Sequence, residues 1–426
     1  MSGFIGNGPG GVGRFSRFQF TAIAGQTVFG GADKNGLTLR YVPGQVEVIL
    51  NGSWLTPEDV TATDGSTITV AQACSVGDAL YVFAPTSFGV ADSISYLTQQ
   101  SLTVSQQVLA RANMGIKPAQ KNNIVNGAMM VSQENGANTS AGNNYYPVDQ
   151  FRTVISGTAG FVSVGQVAKV TPSGSPNRIR ATVTTADAAV ASTDLVALIT
   201  KIEGTMVADL LLGSASAKTV TINFGVSLPA GTYCVVFQND AATRSYVAEY
   251  AISAGQANTD VIVPITIPLD QSGAWIKDAT GSGLTVIWAL MVGSSFQKAA
   301  GAWGTDASGI YGSSSQSNFM GTNGNVFELF DVGLYEGSVA PAFQVPNVDD
   351  ETRKCQRYYF KYATAIVSSS GNTYAAWVLP VKMRAAPTWS GGGAGFATTG
   401  FTDGQTGYNT QTTNAVVSNL VANARM

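Results

Sequence analysis

The 426-residue chain contains no histidine, and that absence restricts its chemistry more than any motif present. Serine–histidine and cysteine–histidine hydrolysis and two-histidine metal sites are ruled out for want of an imidazole base or ligand. Cleavage of a glycosidic bond survives this filter, because it needs only two carboxylates flanking the bond. The candidate carboxylates are Asp149, Glu203, Glu249, Asp270, Glu328 and Asp331. No spacing in the sequence converges any pair of them, and a solvated or hydrogen-bonded acid is the default reading of each. Asp349-Asp350-Glu351 instead reads as the start of a short helix before Cys355, where acidic charge favours the N-terminus. Aromatic side chains offer non-covalent chemistry. Trp303, Tyr311, Trp389 and Tyr408 lie in Gly/Ser/Thr-rich segments outside alternating strands. Rings so placed can stack on sugar faces and are candidate ligand-binding residues, with ordinary packing as the alternative.

Other motifs point away from catalysis or cofactors. Gly6-Asn-Gly-Pro-Gly-Gly11 follows no strand and carries no Lys-Ser/Thr, so it reads as a flexible arm and not a phosphate loop. Cys74, Cys234 and Cys355 are few, odd in number and widely spaced, which argues against a disulfide framework. Cys234 shares a strand face with Val236 and reads as a buried thiol. The sequence implies no cofactor and no metal.

Composition bounds the partners. With 23 basic against 26 acidic residues and no basic run, there is no electrostatic footprint for nucleic acid. Only 12% of residues are charged while 45% are hydrophobic, the reverse of a disordered chain. The longest apolar run, Leu284–Val292, has the length of a buried strand and not of a membrane span, so no membrane insertion is expected. The first residues lack the basic region and apolar core of a secretory signal, which implies synthesis and folding in a cytoplasm.

These residues must be positioned mostly by strands. Phe18–Ile23 alternates, Gln45–Leu50 enters an Asn51-Gly52 turn that Ser53-Trp54-Leu55 leaves, Asp64-Gly65 marks a second turn, and Thr67–Val70 and Ala79–Phe83 follow. One helix is well specified, over Thr103–Met114. Thr103 and Gln106 form a capping box, and Gly115, Ile116 and Pro118 supply the stop. A helix of about 16 Å is marginal alone. Its stripe of Val104, Val108 and Arg111 or Ala112, with Leu109 beside it, therefore needs a partner. Beyond it, apolar runs at Phe161–Val164, Ile179–Val183, Leu195–Ile199, Thr219–Phe224, Thr232–Phe237, Tyr246–Ile252, Val261–Ile267, Leu284–Val292 and Val326–Phe330 are spaced as in a two-sheet sandwich of jelly-roll type. Pro264 and Pro268 make Val261–Ile267 an edge or broken strand. Strands are also expected at Tyr358–Tyr362, Tyr374–Leu379 and Ala415–Ala422.

The expected fold is therefore mainly β. It comprises an arm (1–16), a small N-terminal β-module (17–90), a connector helix and linker (91–121), a jelly-roll-like β-sandwich (122–346) and a C-terminal β-rich module (347–426).

Several segments resemble those of bacteriophage tail fibre and receptor-binding proteins. Thr21–Phe29, Tyr41–Gly52 and Asp59–Gly65 are similar to a small β-module near the start of many such fibres, and Leu102–Gly115 resembles the Leu-Thr-x-x-Gln-Gln-x-x-x-Ala-Arg-x-Asn-x-Gly connector that often follows it. Asn123–Gln133, Tyr146–Arg152, Gly231–Phe237, Arg244–Tyr250 and Phe330–Ser338 look like a fibre jelly-roll module, and Cys355–Tyr359 and Pro380–Thr388 like its C-terminal continuation. The resemblance implies a homotrimeric, non-enzymatic virion appendage, with no catalytic residue. Residues 1–90 would attach to phage tail or baseplate proteins, residues 122–426 would bind host-surface polysaccharide, and Val104 and Val108 would face the trimer axis. The chain lacks a long coiled coil or β-helix pattern, which favours a short fibre or spike. A collar, neck or head fibre and a polysaccharide depolymerase with paired carboxylates are the alternatives.

Overall fold

The computed structural model describes residues 14–86, 103–113, 121–307, 309–367, 373–390, 397–398, 406–411 and 415–426. The chain forms two compact units, residues 1–117 and 118–426.

The first unit contains β1 (Arg14–Thr21), β2 (Gln26–Gly30), β3 (Glu47–Leu50), β4 (Ser53–Trp54), β5 (Val60–Thr61), β6 (Thr67–Cys74), β7 (Ala79–Thr86) and the helix α1 (Val104–Asn113). Its strands form two antiparallel sheets, β1-β7-β3-β4 and β2-β6-β5, around a core that includes Phe18, Phe20, Phe29, Ile68, Leu80 and Val82. The Asn-Gly turn is formed as expected. Asn51 and Gly52 both take positive φ, of 49° and 87°, and Ile49 pairs with Trp54 across the two-residue loop. At the second turn, the Asp64 carboxylate accepts from the backbone N–H groups of Ser66 (2.8 Å) and Thr67 (2.7 Å). The capping box of α1 is also present: Thr103 N donates to Gln106 Oε1 (2.9 Å) and Gln106 N to Thr103 Oγ1 (3.3 Å). The side chains of Val104 and Val108, expected at a trimer axis, and the stop residues Gly115, Ile116 and Pro118 lie outside the described residues.

The second unit is built on a two-sheet sandwich. Its strands are β8 (Phe151–Ser156), β9 (Phe161–Ala168), β10 (Asn177–Thr185), β11 (Leu195–Glu203), β12 (Thr219–Ser227), β13 (Gly231–Gln238), β14 (Arg244–Ile252), β15 (Val261–Pro268), β16 (Ser282–Val292), β17 (Trp303–Thr305) and β18 (Val326–Glu336). One sheet has the order β15-β12-β18-β10-β9 and the other β17-β14-β13-β16-β11-β8. All pairings are antiparallel, and the chain passes repeatedly from one sheet to the other. As its prolines require, β15 is an edge strand. Strand β8 was not anticipated, because Phe151–Ser156 carries Arg152 and Thr153 among its apolar residues.

Period-two alternation sends Val220, Ile222, Phe224, Val226, Phe327 and Leu329 of one sheet and Val235, Phe237, Val286, Trp288 and Leu290 of the other into a shared core. In β18 the alternation slips by one residue. Asn223 pairs with Gly333 but Gly225 pairs with Phe330, leaving Asp331 as a bulge at φ 50°. The slip returns Val332 and Leu334 to the core. Strand β16 is buried along its whole length because its second face is covered too. Ile287 and Ala289 join Leu195, Ala197, Ile199, Val236 and Val247 in a separate apolar cluster, with Phe296, Ile310 and Tyr311 laid over it.

Beyond the sandwich, α2 (Val348–Gln356) starts at Asn347, whose side chain accepts from Asp349 N and Asp350 N. The acidic first turn fits the helix start expected there, but Glu351 is buried and receives Asn126 N and Lys354 Nζ (3.0 Å). Then come β19 (Tyr359–Val367), β20 (Thr373–Val378), β21 (Thr388–Ser390), β22 (Ala397–Thr398), β23 (Thr406–Gln411) and β24 (Ala415–Asn423), in sheets β19-β24-β21 and β20-β23-β22. Arg357 stitches this region to the sandwich through a two-pronged pair with Glu203 (3.0 and 2.7 Å), as does the Tyr358 hydroxyl, which donates to Glu203 at 3.1 Å.

Candidate functional site

Of the aromatics singled out from the sequence, Trp303, Tyr311 and Trp389 do not converge. Trp303 does not sit in a loop: it opens β17, the edge strand of the six-stranded sheet, directly opposite Tyr246. A three-residue strand surrounded by glycine and serine has too little alternation to be read locally. Trp389 likewise lies in a strand, β21, opposite Ala422, and packs on the small apolar cluster of Leu379, Met383 and Ala424. Tyr408 falls on β23, opposite Ala376, and its side chain lies outside the described residues. Tyr311 is in a loop, where its ring meets Phe296 edge-on at 5.7 Å. Burial pushes its phenol pKa up.

Trp303, however, has company that sequence reasoning missed. Its ring lies 5.6 Å from Tyr246 and 5.4 Å from Trp275, nearly perpendicular to the latter at 87°. All three are half-buried and pack against the main core from one side. The two indole N–H groups are satisfied internally: Trp303 Nε1 donates to Pro268 O (2.7 Å), and Trp275 Nε1 to Ser272 O (3.0 Å). Trp303 thus ties the edge of one sheet to β15, the edge of the other. Trp275 was legible by the same criterion as its neighbours, since Gln271-Ser-Gly-Ala-Trp275 is a polar, glycine-containing loop. Only strand register brings Tyr246 to it.

An ion pair braces the cluster. Arg244 Nε and Nη2 hold both oxygens of Asp270 at 2.7 Å, while Nη2 also donates to Ser272 Oγ (2.8 Å) and Nη1 to Thr305 Oγ1 (3.0 Å). Burial would raise the Asp270 pKa, but the Arg244 hydrogen bonds and charge outweigh it and hold the carboxyl below the usual range. Two glycines make room. A Cβ at Gly213 would come within 2.9 Å of Trp275 Cδ1, and one at Gly273 within 2.8 Å of Arg244 Cγ. Both have positive φ. The result is an aromatic surface rimmed by the hydroxyls of Ser272 and Thr305, with no net charge from its central pair. Its chemistry is that of an apolar ring face offered beside hydroxyl hydrogen-bonding groups.

The remaining candidate carboxylates are each engaged elsewhere. Asp149 accepts from Gln133, Glu249 from Ser313 and Asp331 from Ser175. Glu328 is bound by Lys169, Arg178 and Arg180. Among the described residues no group of three or more Cys, Asp or Glu side chains is arranged to hold a metal ion.

No family model matches the chain, and no curated protein matches it. Among solved structures, it is similar to the enzymatically active domain of tailspike protein 4 of bacteriophage CBA120, at 10% identity over 51% of this chain and 21% of that one, with a TM-score of 0.28. The chain thus spans about a fifth of that domain's length. It is also similar to a structure described as CBM4 (14% identity, 50% of this chain and 98% of that one, TM-score 0.27) and to TmCBM61 in complex with β-1,4-galactotriose (11% identity, 51% and 99%, TM-score 0.25).

Proposed function

We propose that the protein is a non-enzymatic component of a bacteriophage virion appendage, a tail fibre or short spike. In this reading residues 1–90 attach it to tail or baseplate proteins, and the sandwich unit binds host-surface glycan. The order of modules and the fibre-like motifs along the sequence support the appendage. The glycan reading rests on one observation: the half-exposed Trp275–Trp303–Tyr246 surface, whose N–H groups are already bonded within the protein and whose rim carries hydroxyls. A pyranose presents an apolar C–H face with hydroxyls around its edge, the complement of that surface.

Screening the full chain against an array of bacterial surface polysaccharides tests the reading. Trp275→Ala should weaken the strongest response about tenfold, as expected for loss of a stacked ring face, measured at a temperature where circular dichroism shows the variant folded. Native-like binding by both Trp275→Ala and Trp303→Ala would refute the site. Release of reducing ends from a bound polysaccharide would refute the non-enzymatic assignment and favour a depolymerase. For assembly, the expectation is a homotrimer joined near α1. Light scattering should give three chains per particle, reduced by Val104→Asp combined with Val108→Asp. A stable native monomer would overturn it.

A further inference from the structure

The N-terminal unit turns two different outer faces away from one core. On the β2-β6-β5 sheet, Val28 lies beside Thr69 and Thr69 beside Thr61, while Gly30 lies beside Thr67. Such a face is ordinary for a sheet that meets water. On the β1-β7-β3-β4 sheet, strand register assembles a different set. The residues that alternate with the core positions Phe18, Phe20, Val48, Leu80 and Val82 form two rows across the strands. Trp54, Ile49, Tyr81 and Gln19 are successive neighbours in one row, and Glu47, Phe83 and Arg17 in the next. Trp54 is 61% exposed, and Ile49, Tyr81 and Phe83 are half-buried and stand outside the unit's apolar core.

The second row carries a cation at one end and an anion at the other, both exposed. Arg17 lies over the rings of Tyr81 (4.8 Å) and Phe83 (5.7 Å), yet among the described residues neither it nor Glu47 has an ion-pair partner. Elsewhere Arg178, Arg180, Arg244 and Arg357 each hold a carboxylate. Strand β7 stands between Arg17 and Glu47, and the two do not pair within the chain. A row with opposite charges at its ends and rings between them is complementary to itself, whereas a partner of one charge would leave one end facing its own sign.

We infer that the outer face of the β1-β7-β3-β4 sheet binds a second copy of this chain. Arg17 of one copy meets Glu47 of its neighbour, and the Tyr81 and Phe83 rings are enclosed between the copies, with Trp54 extending the apolar area at the β4 edge. A two-fold pair or a closed ring matches every Arg17 with a Glu47. The contact is separate from the Trp275–Trp303 surface, and it shares with the homotrimer reading only that copies associate.

Light scattering over a dilution series of the full chain reads the concentration at which the copies separate. Arg17→Glu and Glu47→Arg each set like charges face to face and should raise that concentration at least about tenfold. Combined in one chain they restore opposite charges and should bring it back to within about threefold of the native value. Circular dichroism checks that the variants fold. Contact is read directly by treating Arg17→Lys with a carbodiimide, which takes up water as a urea while an amine and a touching carboxylate condense to an amide. The expected product is a covalent pair of chains on denaturing electrophoresis, joined between position 17 and Glu47. Association unchanged in folded Arg17→Glu, no recovery in the double exchange, or no such link in associated protein would overturn the inference. If Val104→Asp with Val108→Asp separates the chains and Arg17→Glu does not, the contact at α1 stands and this one falls. A native monomer would overturn both.

Discussion

On the outer face of the five-stranded sheet, Arg178 lies only 1% exposed between Glu328 (3.0 Å) and Asp260 (2.5 Å), while Lys169 and Arg180 close on the same glutamate. On the outer face of the six-stranded sheet, Val236, Val247, Ile287 and Ala289 meet Phe296, Ile310 and Tyr311 of the segment between β16 and β18. Both faces lie behind the same core, but one is closed by charge and the other by apolar cover. The charged solution works because one carboxylate satisfies three cations and Arg178 also stacks on Phe330, 4.1 Å away. The apolar solution has no such dependence on partners. Its cover belongs to the segment that also supplies Trp303, so sealing that face and building the aromatic surface are tasks of one connection.

The comparison can be broken most severely at Glu328. Glu328→Ala leaves Arg178 buried with only Asp260 for compensation and should cost about 3 kcal/mol or more, measured by urea unfolding. Ile310→Ala, which thins the cover on the other face, should cost about 2 kcal/mol, since a loop can partly collapse onto the gap. If Ile310→Ala proved the costlier change, the charged face would be the less cooperative of the two. Gly225 separates the faces more finely. A Cβ there would lie 2.0 Å from Phe330 Cε2, so Gly225→Ala should displace that ring from beneath Arg178 and cost about 1–3 kcal/mol by overpacking.

The smallest effect is expected from pH. Burial alone would raise the Glu328 pKa, but hydrogen bonds from Lys169 and Arg180, with their charges, hold it below the ordinary glutamate value. Glu203 is lowered likewise: burial is outweighed by Arg357, Thr205 and Tyr358. A carboxyl lowered in the folded state contributes stability that is complete above its unfolded pKa and lost as pH falls through the folded value. Acidification below the ordinary glutamate pKa of about 4.3 should therefore weaken the native protein, and Glu328→Ala should show a shallower loss. Equal slopes in the two proteins would place the acid sensitivity elsewhere.

Much of the fold was legible because its signals are local. The Thr103–Gln106 box, the Asn51-Gly52 hairpin, the helix start at Asp349-Asp350-Glu351 and the edge strand marked by Pro264 and Pro268 each depend on residues within one turn or strand. The site was legible only in part. Trp303 stood out as an aromatic among small polar residues, but its strand came from pairing with β14, and its partners Tyr246 and Trp275 lie 57 and 28 residues away. Nothing local distinguishes Tyr311, whose ring meets Phe296, from Trp303, whose ring meets Tyr246 and Trp275; both are half-buried.

What the sequence by itself determined is the mainly β character, the alternating faces, the turns and the absence of imidazole chemistry, since these follow from residue types and short spacings. Tertiary structure alone decided which carboxylate each arginine holds and which aromatics share a surface. Arg178 meets Glu328 across 150 positions, and Arg425 meets Glu134 across 291. Contacts of that separation depend on strand register and on how the sheets stack, and a one-residue slip, such as the bulge at Asp331, reassigns every side chain beyond it.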